Sequence, residues 1–108
     1  MSIDASALAQ QMIGAGAQAF GPDWREAKDL AKGEFKTLAR RIKEIGRLAA
    51  GGLDAELAKT LLAMQKNVAI QIIAGATTLT LLAVESAINA VFDVIKSTVN
   101  AALGITLL

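Results

Sequence analysis

Apolar residues recur every three or four positions along most of the chain, and a few interruptions divide that pattern into three predicted helices. The first covers 5–20, with Leu8, Met12 and Ala15 on one side and Ser2 or Asp4 placed to cap its start. It is rich in alanine and carries Gly14 and Gly16, so packing rather than propensity must hold it. In "FGPDWRE", Gly21 and Pro22 stop that helix, and Asp23 followed three residues on by Glu26 has the spacing of a capping box. The second helix, 23–50, places Trp24, Ala27, Ala31, Phe35, Leu38, Ile42 and Ile45 on one stripe and most of its charges elsewhere, the pattern of an amphipathic helix. Gly51 and Gly52 supply a stop, and Asp54 caps the next helix.

The third helix, 54–103, meets no proline and no turn cluster before Gly104. Its one weak point is Gly75 in "AGATT", and a single glycine costs only about 1 kcal/mol. A continuous or gently kinked helix is therefore expected, with a hairpin at "AGATT" as the other solution. Such a rod would span roughly 75 Å, which calls for packing against other copies. Heptad spacing gives it three faces. Ala69, Ala76, Ala83 and Ala90 form a small-residue seam suited to close helix packing. Ile70, Ile73, Val84, Ile88, Val91, Ile95 and Val99 form a bulky face for a core or for lipid. Gln71, Thr78, Glu85, Asn89, Lys96 and Asn100 form a thin polar stripe.

Whether this stretch crosses a bilayer is the central question. Residues 67–84 carry no charge, and Val68 to Val84 reaches the lower limit of a span, about 17 residues. Extending the span to residue 92 takes in Glu85, which costs about 2.5–3.5 kcal/mol unless a subunit contact receives it. Gln71 and "TTLT" weaken a span, and no aromatic belt flanks it.

Charge sharpens the contrast between the two halves. The net charge is only +1, yet eight of the eleven Lys and Arg residues lie between Arg25 and Arg47. By the positive-inside tendency the basic N-terminal part is expected on the cytoplasmic or interior side, with helix 2 along the headgroups, Trp24 and Phe35 downward and its lysines up. Lys36, Arg40, Arg41, Lys43 and Arg47 are the candidate contacts for headgroups, or for nucleic acid without sequence preference. Absence of a basic stretch at the start, with Asp4 nearby, sets an expectation of cytoplasmic synthesis without cleavage.

The sequence is poor in reactive groups. It has no cysteine and no histidine, no serine, threonine or lysine beside a base at a motif spacing, no metal-ligand pattern and no phosphate loop. No catalytic, cofactor-binding or metal-binding residue and no small-molecule substrate are expected, and no enzymatic activity. The segments "LLAMQKNVA" at 61–69 and "LLAVESAINAVFDVIKSTVNAALGITLL" at 81–108 resemble a group of small uncharacterised bacterial and phage or prophage proteins with an "AVE-x-AINA" stretch and a "VN-x-ALG" ending. That resemblance implies a structural component, and it leaves out the first 50 residues.

The expectation is one all-α domain over 1–108, a self-associating structural protein at or in a bacterial inner membrane or phage particle. A soluble, cytoplasmic homo-oligomeric scaffold or connector is the alternative, and a holin-like pore lined by the polar stripe is the third reading.

Overall fold

The computed structural model describes residues 3–108, and among them the chain is helical with no strand. Helical turns cover Ala5 to Ala50, and a single 3-10 turn at Gly21–Asp23 divides them into α1 (Ala5–Phe20) and α2 (Trp24–Ala50). Gly21 adopts φ +56°, a backbone state that suits glycine, and this lets α1 fold back antiparallel on α2. Two further helices complete the described residues, α3 (Ala55–Ala76) and α4 (Leu81–Leu103).

The four helices pack in a ring in chain order, each antiparallel to its neighbours, an up-down-up-down bundle. The molecule measures 41 × 23 × 18 Å, and α2, with 27 residues, spans its whole length at about 1.5 Å per residue.

The long helix expected over 54–103 is therefore corrected: the chain breaks at residues 77–80 and reverses. Threonines rather than Gly75 make the break. The Thr77 hydroxyl donates to the Ile73 carbonyl at 2.8 Å, and Thr77 itself takes extended backbone, φ −124° and ψ 173°. Thr80 then caps α4, accepting from the Ala83 N–H at 3.1 Å. Folding back removes the need for a rod roughly 75 Å long, since α4 covers α3 from within the same chain.

Other boundaries obey the local chemistry of the sequence. Asp4 caps α1 through the Ala7 N–H, and Asp54 caps α3 through the Leu57 N–H; Ser2, the other candidate cap of α1, lies outside the described residues. At the end of α2 the Leu53 N–H reaches the Leu48 carbonyl and the Gly52 N–H reaches that of Ala49, with Gly52 at φ +114°. This is a Schellman ending, in which glycine carries the positive φ. The capping box expected of Asp23 and Glu26 does not form: Asp23 makes no side-chain cap hydrogen bond, because the 3-10 turn already feeds helical backbone into α2.

Among the described residues the core is apolar throughout. Phe35, Ile42 and Met12 are fully enclosed, as are Ala27 and Ala31. The whole bulky face of the expected third helix joins them: Ile70, Ile73, Val84, Ile88, Val91, Ile95 and Val99 are all buried. Two glycines permit close approaches between helices. A Cβ on Gly16 would stand 2.5 Å from the Phe35 ring, and one on Gly46 would stand 2.9 Å from the Leu103 methyls. Gly46 thus lets the end of α4 reach α2 across the diagonal of the bundle.

Candidate interaction surfaces

No helix among the described residues is long and apolar enough to cross a membrane. The transmembrane helix expected within 68–92 is corrected accordingly, since the break at 77–80 splits that stretch between α3 and α4. The posture expected of the second helix is corrected too. Phe35 is buried against α1 and cannot face lipid, and Trp24 is half-buried with its ring 6.0 Å from that of Phe20.

The alanine seam is divided by the same break. Ala69 is buried in α3 and Ala76 is exposed at its end, whereas Ala83 and Ala90 are half-buried on α4. These four residues line no common helix face.

The polar stripe also separates into distinct local roles. Gln71 and Glu85 are exposed on different helices. Thr78 lies in the α3–α4 loop and is held by Glu26: its hydroxyl sits 2.6 and 2.7 Å from the two carboxylate oxygens, and its backbone N–H donates to the same group. These bonds, the hydroxyl first and the N–H second, hold the Glu26 carboxyl below the usual carboxylate range against a smaller opposing effect of desolvation. Asn89 accepts from Lys66 Nζ at 3.0 Å. Asn100 accepts from the N–H groups of Leu107 and Leu108 and donates to the Leu108 carbonyl, fastening the tail along α4. Lys96 lines a cleft between α3 and α4.

The five candidate anion contacts, Lys36, Arg40, Arg41, Lys43 and Arg47, are all exposed on α2. Lys36, Arg40, Lys43 and Arg47 share an outer ridge with Arg25 and Lys32, all six within about 80° of one another on the helix. Arg41 sits apart from this ridge. Arg47 is partly neutralised by Glu44 at 2.6 Å, and Arg40 reaches the Thr37 hydroxyl.

One surface has no counterpart among the expected faces. Leu57, Met64, Val68 and Ile72 are exposed along α3, with Leu61 half-buried between them, at spacings of four, three, four and four residues. Met64 and Val68 each leave more than half their area open, at 56% and 53%. The stripe runs roughly 22 Å and lies about 180° around α3 from Lys66, on the side away from α4. Exposed Leu48 at the end of α2 lies beside the α2–α3 connection. Residues 54–76 thus carry two apolar faces, one for the core and one outside. A single buried rod, which takes up every apolar residue, hides the second.

Comparison with protein-family models, with curated proteins and with solved structures gives no match.

Proposed function

We propose that the chain is a non-enzymatic structural module that self-associates through the exposed stripe of α3. The observation that carries this is the run Leu57, Leu61, Met64, Val68 and Ile72: a second apolar face on a helix whose first face already fills the core. Contiguous apolar strips of this kind mark contact surfaces, and this spacing is that of a helix–helix seam.

Its flank supports a second copy as the occupant. Thr60, Asn67 and Gln71 border the stripe and carry no charge, so two α3 helices meet without like-charge repulsion, while a strongly charged partner finds nothing complementary there. Bundle and oligomer are then separate levels: the core closes within one chain, and the stripe joins chains.

A peripheral contact with an anionic surface is a second reading, supported by the cationic ridge of α2. Lipid headgroups, or phosphates of nucleic acid met without sequence preference, suit such a ridge. A setting at a bacterial membrane or in a phage particle rests on the resemblance of the C-terminal stretch. Binding to anionic vesicles that disappears at high salt is the expected sign of this contact; absence of binding at low salt removes it.

Light scattering tests the self-association. The wild type is expected at a multiple of 11.2 kDa, and Met64→Lys and Val68→Lys, both at exposed positions, are expected to stay helical and fall to the single-chain mass. A monomeric wild type, or variants that keep the oligomer mass, overturns the reading.

A further inference from the structure

After Arg47 the chain contains three cationic side chains, Lys59, Lys66 and Lys96, and all three line one cleft of about 320 Å³ between α3 and α4. They come from separate turns of two helices and line one cleft because α3 and α4 run antiparallel. The cleft interior is apolar: Leu62 from α3, Phe92 from α4 and Leu107 from the tail, with Leu62 and Leu107 buried. The tail is brought there by Gly104, at φ +71°, and by the Asn100 amide that fastens Leu107 and Leu108.

Lys66 is held in position from two directions. Its ammonium donates to Asn89 Oδ1 at 3.0 Å and lies 5.5 Å from the centroid of the Phe92 ring. Lys59 has Glu56 at 3.6 Å on its own helix. Lys96 makes no ion pair or side-chain hydrogen bond among the described residues. Asp93 is the one carboxylate side chain among the described residues of the lining, set against three lysines, of which Lys59 is partly offset by Glu56.

From this we infer that the cleft binds a small amphiphilic anion, with a carboxylate head among the lysines and a short aliphatic body against Leu62, Phe92 and Leu107. Its volume lies at the small end of ligand clefts, which run from about 300 to 1,000 Å³, and suits a body of roughly six to ten carbons. Cations set around an apolar floor discriminate such a molecule twice: a bare anion gains no burial, and a neutral chain gains no charge contact. The cleft lies on the opposite side of α3 from the self-association stripe, so either proposal can fail without the other.

Octanoate is the probe, titrated into the full chain and followed by the amide and methyl resonances of the protein. Saturable shifts concentrated at Leu62, Phe92 and Leu107 are expected, with acetate and 1-octanol each at least tenfold weaker. Lys96→Met, at an exposed position, is expected to leave the spectrum of the free protein otherwise intact and to weaken octanoate about fivefold. Lys28→Met, at an exposed position on α2 away from the cleft, is expected to leave it unchanged. Shifts that do not saturate, equal binding of acetate or of octanol, or an unchanged affinity in Lys96→Met overturns the inference.

Discussion

Glu26 at the start of α2 holds Thr78 in the α3–α4 loop, with the threonine hydroxyl and backbone N–H both directed at one carboxylate. The two residues are 52 positions apart, so this contact fastens the reversal between α3 and α4 to the first hairpin. A carboxylate suits that position, because at a helix break the backbone N–H of Thr78 lacks a partner within the helix and the carboxylate supplies one.

Glu26→Gln is expected to lower stability at neutral pH and to reduce its dependence on pH. The folded carboxyl titrates below its ordinary value. Its contribution is therefore complete above the pH at which the unfolded group titrates, and it is lost as pH falls through the folded value. Urea unfolding of wild type and variant across the acid range checks this, with the gap between them closing at low pH. A gap that stays constant would exclude the carboxylate as its source.

Gly16 and Gly33 are both helical and are expected to respond to alanine with opposite signs. At Gly33 a Cβ meets nothing within 4 Å, so Gly33→Ala gains about 0.5–1 kcal/mol of helix propensity. At Gly16 it meets the enclosed Phe35 ring at 2.5 Å; overpacking of about 1–3 kcal/mol then outweighs the same gain. Thermal unfolding of the two variants gives the signs directly.

Thr80→Ala removes the hydrogen bond that starts α4 and is expected to cost about 1 kcal/mol. Hydrogen exchange should show the loss first in residues 81–84, since local opening reports the weakened end. Unchanged protection there would mean that Glu26 and the core alone fix the break.

Leu82→Lys is expected to be harmless to the fold, because Leu82 is 76% exposed at the beginning of α4. Circular dichroism and the thermal midpoint should match wild type. In a bilayer span the same change would block insertion, so normal folding of the variant in water would agree with the bundle.

Most of the helix grammar is legible in the sequence because it is local. Asp4, Asp54 and the Gly51–Gly52 pair each act within a few residues of their own position, and the stripe from Ala27 to Ile45 needs only a helical period. The reversal at 77–80 is legible only as the hairpin alternative at "AGATT", since its signal is neither proline nor glycine: "TTLT" encodes a stop at Thr77 and a cap at Thr80, and both look like interruptions in an apolar run. Glu26 misleads for a related reason. Its spacing from Asp23 satisfies a local motif, but a partner 52 residues away wins. The α3 stripe stays hidden because periodicity alone does not say which of two apolar faces meets the core.

Lacking cysteine, the chain accepts a single unique label, and Asn67→Cys places one on the exposed flank of the α3 stripe. Pulsed dipolar spectroscopy on the spin-labelled full chain is the most direct test of self-association through α3. Two copies paired along this face, with axes about 8–10 Å apart, should give one defined intermolecular distance below roughly 30 Å, and Val68→Lys should abolish it. A signal no greater than that of dilute, unpaired molecules would contradict the proposed pairing, as would a distance unaffected by Val68→Lys.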